Sequence, residues 1–382
     1  MIYFDNAATS LRKPDKVYKA FSDAIKSAAN PGRGSYPPSM KAAEIVYSCR
    51  EEAARFFHLS EPERIIFTHN TTHALNLAIK GVMADGGHCV ISGYEHNSVA
   101  RPIEAMAENG IITYSVADAP LFKPQEMVRA FASRITGQTK YFIVNHVSNV
   151  FGYMLPIYEL NEVCEQNGIG MVLDAAQSAG ILPIDYERLT ACEYICMPGH
   201  KGLYGPQGTG ILICLKDKKH KTIIEGGTGS VSNDLRQPTF LPDRFESGTM
   251  NVPGIAGLTE GIRFVKKTGM EAIRAHEQNL LKYVKEGLSV IPGVELFAAD
   301  AAVHQTGVLS FRARKSCEEI ADALSKSGIC VRAGLHCAPY AHKNAGTFGT
   351  GTVRVSFSYF NTIGEAEKFL IEIKKFLFGK KN

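Results

Sequence analysis

Short hydrophobic runs alternate with amphipathic stretches between about residue 64 and residue 215. Strands are predicted for the runs "RIIFTHN", "HCVISG", "IITYSVA", "TKYFIVNHV", "GMVLDAA", "EYICM" and "TGILIC". Helices are predicted for the stretches "TTHALNLAIKGVM", "SVARPIEAMAEN", "KPQEMVRAFASRI" and "IYELNEVCEQNG", and we expect a threonine to cap the first of them. The alternation of strands and helices predicts an α/β fold, with a mostly parallel sheet flanked by helices.

The pattern changes after about residue 255. Two long helical stretches there are followed by the short runs "VELFA", "GVLSFRA", "CVRAG" and "TVRVSFSYF", by the helical segment "SCEEIADALSKSG" and by a closing helix. This order predicts a large domain over residues 14–256 and a smaller α+β C-terminal domain over residues 257–382. The N-terminal segment 1–13 is expected to pack near the active site.

Composition and charge exclude several classes of protein. The chain has 382 residues and a formal net charge of +4, and its basic residues are scattered apart from "KDKKHK" and the C-terminal "KKN". This distribution argues against nucleic acid as the main partner. No apolar stretch reaches the length of a membrane span, so no membrane partner is predicted and the cytoplasm is the expected location. The nine cysteines form no C-x-x-C pair, so no metal site is predicted.

Polar residues follow several of the predicted strands. Asp174 and Gln177 come after "GMVLD", His96 follows "HCVISG", and Asn149 follows "TKYFIVN". Each has a structural explanation when taken alone, because an aspartate there can cap the next segment and a single histidine is more often structural than catalytic. Ligands of parallel sheets bind at the carboxyl ends of the strands, so the repeated placement favours a ligand site.

The helix that starts with Thr71, Thr72 and His73 directly follows a predicted strand. Hydroxyl groups and free backbone N–H groups at a helix N-terminus suit a phosphate group. A capping threonine explains the same residues almost as well. The two interpretations stay open on these residues alone.

Lys201 lies in the glycine-rich stretch "MPGHKGLYGPQGTGIL", directly after the run "EYICM". A nucleotide-binding P-loop is excluded because the lysine precedes most of the glycines. A lysine that faces a phosphate site, an aspartate and a histidine can form a Schiff base with an aldehyde cofactor. Such a cofactor would be pyridoxal 5′-phosphate, whose ring nitrogen requires an acidic partner.

A series of motifs identifies a family. They are, in order, "YFDNAATS", "NPGRGSY", "TTHALNLA", "YEHNSVARP", "HVSNVFG", "DAAQSAG", "PGHKGLYGPQGTG", "RFESGTMN", "VRAGLHCAP" and "VRVSFSYFNT". With this series the chain resembles the class V, fold-type I aminotransferases, which depend on pyridoxal phosphate. Within that family it resembles the cysteine desulfurases and selenocysteine lyases that have a short active-site loop. The resemblance implies a homodimer that acts on L-cysteine or L-selenocysteine.

The resemblance also implies roles for the residues at the strand ends. Lys201 would bind the cofactor and then move protons, while Asp174 would pair with the ring nitrogen and Gln177 with the ring hydroxyl. His96 would lie over the ring face and assist protonation. A carboxylate that keeps the ring nitrogen positive makes the ring an electron sink, so the charges agree with these roles.

The phosphate contacts implied by the resemblance come from Thr72, from His200 and, in the partner subunit, from Thr249. Many relatives have a serine two residues before the histidine, where this chain has Pro198. Proline has neither a hydroxyl nor an N–H group. We therefore expect the phosphate to lose one contact, or to gain it from Thr71 or a backbone amide.

Substrate recognition is assigned to arginines and an asparagine. Arg354 would bind the substrate carboxylate through a bidentate ion pair, and Asn149 would support the same group. A surface arginine on an edge strand is the alternative explanation for Arg354. Arg332 is expected nearby, and Arg33 in "NPGRGSYPPSM" is expected at the site entrance.

Cys337 begins the stretch "CAPYAHKNAGTFGTGTVR", a loop of mostly small residues that is expected to be mobile. The neighbouring His336 and Arg332 would favour its thiolate. The resemblance implies that this thiolate attacks the substrate sulfur, leaves alanine, and passes the sulfur as a persulfide to an acceptor. Residues 338–353 separate Cys337 from Arg354, as in the short-loop group, whose members often need a partner protein for fast turnover.

Three alternatives remain at this stage. A selenocysteine lyase would use the same ring chemistry and release selenium without strictly requiring the cysteine, and the sequence does not separate it from a desulfurase. Another class V enzyme, either an aminotransferase or a sulfinate or kynurenine-type lyase, has no use for a loop thiol. A non-catalytic scaffold or sulfur carrier is disfavoured by the intact set Lys201, Asp174, Gln177 and Arg354. The acceptor pathway, iron–sulfur cluster assembly among others, stays open.

Overall fold

The computed structural model describes residues 1–32 and 34–378, so Arg33, expected at the site entrance, lies outside the described residues. The helices are α1 (Asp15–Ser27), α2 (Pro37–Phe56), α3 (Thr71–Val82), α4 (Asn97–Glu108), α5 (Pro124–Ser133), α6 (Ile157–Asn167), α7 (Val252–Thr268), α8 (Met270–Ser289), α9 (Cys317–Lys326), α10 (Pro339–Asn344) and α11 (Ile363–Phe378). The strands are β1 (Ile2–Tyr3), β2 (Ile65–Thr68), β3 (Gly87–Ser92), β4 (Ile112–Ala117), β5 (Thr139–Asn145), β6 (Gly170–Asp174), β7 (Cys192–Pro198), β8 (Gly210–Cys214), β9 (Glu295–Phe297), β10 (Val308–Arg312), β11 (Ile329–Cys330), β12 (Arg332–Gly334) and β13 (Thr352–Ser356).

The central sheet has seven strands in the order β2-β8-β7-β6-β5-β3-β4. The five strands from β3 to β7 are parallel, and β8 runs antiparallel to both β7 and β2. Strands β5 to β8 are buried almost throughout, because hydrophobic clusters cover both faces of the sheet. The predicted α/β fold with a mostly parallel sheet flanked by helices is therefore confirmed.

The C-terminal part forms an antiparallel sheet in the order β12-β13-β10-β9, with a separate hydrophobic core. The short strand β1 pairs in parallel with β11, which attaches the N-terminal segment to this part of the fold. Helix α7 runs without interruption through residues 256 and 257. The predicted boundary between the two domains falls inside this helix, and its position stays a prediction.

Several local features differ from the sequence-based expectations. Helices α1 and α2 precede the predicted alternating series and were not expected. The side chain of Asn70, and not a threonine, caps α3 by accepting a hydrogen bond from the His73 amide. Asparagine is among the strongest capping residues because its side-chain oxygen reaches the free amides of the first turn. The stretch after Cys337 contains the helix α10 and is not a continuous loop.

No helix within residues 1–32 and 34–378 is both long and apolar enough to cross a membrane. The same residues contain no group of three or more histidine, cysteine or acidic side chains arranged to hold a metal ion.

Candidate active site

A cavity of about 230 Å³ opens at the carboxyl ends of β5, β6 and β7. The N-termini of α3 and α4, the N-terminal segment and strands β12 and β13 complete its walls. This active-site cavity is where the sheet topology places ligands of α/β folds. The structure brings together in it most of the predicted residues, namely Thr71, Thr72, His96, Asn149, Asp174, Gln177, His200, Lys201, Arg332, Cys337 and Arg354.

Lys201 and Asp174 form the charged centre of the cavity. Asp174 ends β6 and is buried, and its Oδ1 accepts a hydrogen bond of 2.8 Å from the amide of Ala176. Burial raises the pKa of Asp174 to about 6, while that amide and the charge of Lys201 act in the opposite direction. Burial lowers the pKa of Lys201 to about 8, although Asp174 favours its charged form. The lysine thus exchanges a proton near neutral pH.

The N-terminal segment closes one side of the cavity. Gln177 Nε2 donates to the carbonyl of Ala7 at 2.9 Å, and the hydroxyl of Ser10 donates to the carbonyl of His200 at 3.0 Å. The ring Nδ1 of His200 lies 3.0 Å from the Thr9 hydroxyl. The turn that carries Lys201 is therefore held by residues almost two hundred positions earlier in the chain.

The first turn of α3 supplies an anion-binding end to the cavity. The amides of Thr71 and Thr72 have no acceptor in their own helix, because they are its first two residues. The Thr72 hydroxyl lies 2.7 Å from the hydroxyl of Ser98, which in turn lies 2.8 Å from His96 Nδ1. Ser98 therefore links the anion-binding end of the cavity, at the first turn of α3, to His96.

His96 and His200 are neutral within the cavity. Burial lowers the pKa of each to about 4, and the positive charge of Lys201 acts in the same direction. His96 Nδ1 also accepts a hydrogen bond of 3.0 Å from the Ser98 amide, so Nδ1 carries no proton and any ring proton is on Nε2. His96 Nε2 has no hydrogen-bond partner among the residues that the structure describes.

Arg354 is almost completely buried on β13, an inner strand of its sheet, which excludes a surface arginine on an edge strand. Its Nη2 pairs with Asp5 Oδ1 at 2.5 Å, and its Nη1 donates to the carbonyl of Asn149 at 2.9 Å. The buried Nε of Arg354 and the buried Oδ1 of Asn149 have no partner within the described part of the chain. Asp5 thus fixes the guanidinium and leaves part of its donor set available.

Cys337 is exposed at the mouth of the cavity, whereas seven of the nine cysteines are buried and Cys330 is half-buried. The Cys337 Sγ lies 3.9 Å from Arg332 Nη2, and the Cys337 carbonyl accepts a hydrogen bond of 2.7 Å from the amide of Asn97. Cys337 and His336 both have positive φ angles, of 57° and 51°, which are unusual for residues other than glycine. The thiol is therefore held in a defined turn beside one cation.

His336 does not support the Cys337 thiolate as expected. Its ring is buried and stacks on His342, with 3.3 Å between Nδ1 and the His342 Nε2, while its own Nε2 lies 3.4 Å from the Arg332 carbonyl. Burial and the neighbouring arginine charges hold the pKa of His336 well below its ordinary value. The ring is neutral, so Arg332 is the cation left beside the thiol.

Three residues discussed from the sequence do not line this cavity. His73 stacks on His69 in a separate, smaller cavity, with ring centroids 5.1 Å apart, and its amide is used by the Asn70 cap. Thr249 is exposed and lines that cavity and an adjoining groove. Pro198 is buried at the end of β7. The anion-binding end of the cavity is thus formed by α3 without a contribution from Pro198.

Two contributing residues were not singled out in the sequence. Ser98 could have been found from its position two residues after His96, where a hydroxyl meets the start of a helix. Asp5 has no local signal, because its partner Arg354 is 349 positions away.

The residues of the active-site cavity fit pyridoxal phosphate. The cavity combines a buried carboxylate for the ring nitrogen, a lysine with a lowered pKa for the aldehyde, and free helix amides for the phosphate. Unpartnered donor and acceptor atoms remain on Arg354 and Asn149, where an amino-acid carboxylate would be recognised.

Comparisons with known proteins agree with this geometry. A family model described as aminotransferase class-V matches residues 2–369. A probable cysteine desulfurase of Methanothermobacter thermautotrophicus is 32% identical over 379 residues, covering 96% of this chain and 92% of that protein. A probable cysteine desulfurase of Pyrococcus abyssi is 33% identical over 379 residues, covering 97% of this chain and 92% of that protein.

Among solved structures, the apo structure of a cysteine desulfurase from Thermococcus onnurineus NA1 superposes with a TM-score of 0.90. The two chains are 32% identical, and the match covers 99% of this chain and 95% of the other. The similarity therefore includes both the sheet that carries Lys201 and the C-terminal part that carries Cys337.

Proposed function

This chain belongs to the class-V aminotransferase family, and on that premise we propose that it is a cysteine desulfurase that depends on pyridoxal phosphate. The observation that supports this function best is the position of Cys337. It is an exposed thiol on the same cavity as Lys201 and Asp174, beside the guanidinium of Arg332. Other reactions of the family do not require a thiol at this place.

The proposed cofactor would be held by residues at both ends of the cavity. Asp174 would pair with the ring nitrogen, Gln177 would contact the ring hydroxyl, and the amides of Thr71 and Thr72 would bind the phosphate. When bound, pyridoxal phosphate supplies an aldehyde that condenses with amines and a protonated ring that withdraws electrons from the substrate. A positively charged ring nitrogen beside Asp174 would bring its raised pKa back toward the usual range, because opposite charges favour each other's ionised form.

The substrate would be oriented by Arg354, whose free N–H groups would donate hydrogen bonds to the α-carboxylate while Asp5 and the Asn149 carbonyl hold the guanidinium in place. Lys201 Nζ would take the proton from the α-carbon and return it later, since its pKa of about 8 makes the neutral amine accessible near neutral pH. His96, neutral with Nε2 available, would assist in returning protons to the product.

Sulfur transfer would be carried out by Cys337. Its thiolate attacks the sulfur of L-cysteine, so that a sulfur–sulfur bond forms and the carbon–sulfur bond breaks. The electron pair of the broken bond stays with the substrate carbon, which takes up a proton to become the methyl carbon of alanine. The enzyme is left with a persulfide on Cys337. Atoms and electrons balance without an external oxidant or reductant.

Three further parts of the proposal concern the surroundings of the enzyme. A homodimer would allow Thr249, which lies outside its own active-site cavity, to reach the cavity of the partner subunit. An acceptor protein would remove the sulfur from Cys337, whose exposure permits access. We further propose that the enzyme works in the cytoplasm, with iron–sulfur cluster assembly as one use of the sulfur.

The test is the formation of alanine and of protein-bound persulfide from L-cysteine by the wild type, by Cys337→Ala and by the matched control Cys330→Ala. We expect Cys337→Ala to lose at least about 100-fold in alanine formation, since the nucleophile is removed. Cys330→Ala should behave as the wild type, because Cys330 does not line the cavity. Equal alanine formation by Cys337→Ala and wild type would contradict the thiol mechanism, and L-selenocysteine would then be tested as the substrate.

A further inference from the structure

A further small cavity, distinct from the one that His73 lines, lies where several parts of the chain meet. We call it the junction cavity. One side of it is formed by the N-terminal segment and by the turn that carries Lys201. The other side belongs to the C-terminal part and consists of Glu277 of α8, the turn before β10 and the residues around the end of β13. Its volume of about 30 Å³ corresponds to roughly two water molecules. It shares Ala7, Ala176, Gln177 and Lys201 with the active-site cavity.

Glu277 is the one carboxyl group on this cavity among the described residues. The residue is 3% exposed, and its carboxyl oxygens make no hydrogen bond or ion pair within residues 1–32 and 34–378. Its Oε2 lies next to Gly307, because a Cβ placed on that glycine would come within 3.0 Å of the oxygen. A buried carboxyl group without a partner is costly, so it requires either a proton or a cation.

The walls of the junction cavity offer several neutral oxygens, whereas the side-chain amides of Asn6 and Gln177 already donate to carbonyl groups and Lys201 is the one amine among the described residues of the wall. Its four serine and threonine hydroxyls donate their protons to acceptors outside the cavity: Ser10 to the His200 carbonyl, Ser356 to the Phe4 carbonyl, Thr306 to the Gly152 carbonyl, and Ser358 to Asn361 Oδ1. The Ser356 and Ser358 oxygens also accept hydrogen bonds from the amides of Ala7 and Phe360, and each hydroxyl oxygen keeps at least one lone pair that can face a ligand. Lone pairs of neutral oxygens together with one carboxylate are the ligands that hard cations prefer.

Tyr204 is the exception among these groups. Its hydroxyl accepts a hydrogen bond of 3.0 Å from the amide of Tyr359 and keeps its own proton, yet no hydrogen bond joins it to Glu277. A single hydroxyl proton does not neutralise an ionised carboxylate. A cation does so, and one carboxylate balances a charge of +1, whereas a divalent ion would leave a buried excess of positive charge.

We propose that the junction cavity binds a monovalent metal cation, sodium or potassium, through the carboxylate of Glu277 and neutral oxygens of the cavity wall. Bound there, the cation links α8 to the turn of Lys201 and to the N-terminal segment. It would stabilise the fold at the wall that the two cavities share. The proposal does not depend on the reaction that the protein catalyses.

The test compares the melting temperature of the cofactor-loaded protein in potassium chloride, sodium chloride and choline chloride at equal ionic strength and about pH 9. We expect at least one alkali cation to raise the wild-type melting temperature by about 2–4 °C over choline, in a saturable manner. Glu277→Gln should show no difference between the salts. The matched control Glu271→Gln changes an exposed glutamate of the same helix and should respond as the wild type.

The response to pH provides a second readout. Burial raises the pKa of Glu277 to about 8, so at about pH 6 the carboxyl group keeps its proton and the cation effect should disappear. The other titratable groups that border the cavity are Lys201, whose pKa burial lowers to about 8, and Tyr204, whose pKa burial raises. Glu277→Gln removes the carboxyl group and leaves Lys201 and Tyr204 in place, so a pH effect that this variant loses is due to Glu277.

Equal melting temperatures of the wild type in all three salts at about pH 9 would overturn the proposal and identify Glu277 as a buried neutral acid. A salt response retained by Glu277→Gln would also overturn it, because the cation would then bind elsewhere. If Glu277→Gln does not fold, the sodium-23 resonance of wild-type solutions decides the question. Broadening of the sodium resonance by the protein, reversed when potassium chloride is added, would support the site. If the resonance is not broadened and potassium does not shift the melting temperature, the site is contradicted.

Discussion

Asp174 in the active-site cavity and Glu277 in the junction cavity are both buried carboxyl groups, and the two cavities share Lys201. Burial raises the pKa of both groups, to about 6 for Asp174 and to about 8 for Glu277. The difference follows from their neighbours, because Asp174 has a backbone amide and a lysine charge, whereas no group in the described part of the chain offsets the burial of Glu277. A buried carboxyl group thus stays ionised near neutral pH only where hydrogen bonds or an opposite charge offset the cost of burial.

The largest effect is expected from removing the lysine that the two cavities share. Lys201→Ala should abolish the visible absorbance band that borohydride reduces and should lower alanine formation at least about 1,000-fold, because the group that binds the aldehyde and moves the proton is lost. Absorbance spectra before and after borohydride measure this. Lys13→Met is the control, since burial also lowers the pKa of Lys13 to about 8 but Lys13 does not line the active-site cavity. A reducible band in Lys201→Ala would contradict the assignment.

The comparison of the two carboxyl groups is tested by replacing each with its amide. Asp174→Asn should lower kcat by about 100-fold to 1,000-fold, because a preorganised charge at the electron-withdrawing ring is removed. Glu277→Gln should change kcat by less than about threefold, since its carboxyl group faces the other cavity. Steady-state alanine formation measures both. A loss in Glu277→Gln as large as that in Asp174→Asn would show that the two cavities are functionally one.

A smaller effect is expected at the ion pair of Asp5 and Arg354, which we propose supports substrate binding. Asp5→Ala should raise KM for L-cysteine by about tenfold with little change in kcat, because Arg354 loses the partner that orients its guanidinium. Initial rates over a range of L-cysteine concentrations separate the two constants. If KM falls instead, Asp5 acts only as a competitor of the substrate carboxylate.

The smallest effect concerns stability and pH. Without a bound cation, Glu277 keeps its proton in the folded protein up to about pH 8, whereas in the unfolded chain it ionises near its ordinary pKa of 4.5. The free energy of unfolding of the wild type should therefore fall relative to Glu277→Gln as pH rises through this window, and the difference should stay constant above it. Denaturant unfolding in choline chloride at about pH 5 and pH 9 measures this. A difference that does not change with pH would contradict the assignment.

The sequence predicted the parts of the molecule that have local signals. The parallel strands were found from their hydrophobic runs, and Asp174, His96 and Lys201 were found because each follows such a run. Helices α1 and α2 were missed because they precede the alternating series. Asp5 and Glu277 were missed for a physical reason, since their burial and partners come from segments brought together only by tertiary packing.

The pairing of β1 with β11 and of Asp5 with Arg354 has a consequence for the order in which the enzyme assembles during translation. The seven-stranded sheet is complete in sequence once residue 214 has left the ribosome, but Asp5 must wait for a partner synthesised 349 positions later. The turn that carries Lys201 is therefore synthesised well before Arg354 and Cys337, the residues proposed to bind the substrate and to attack its sulfur. A chain that ends before β13 lacks Arg354, so under the proposed mechanism it could not bind the substrate carboxylate or release sulfur.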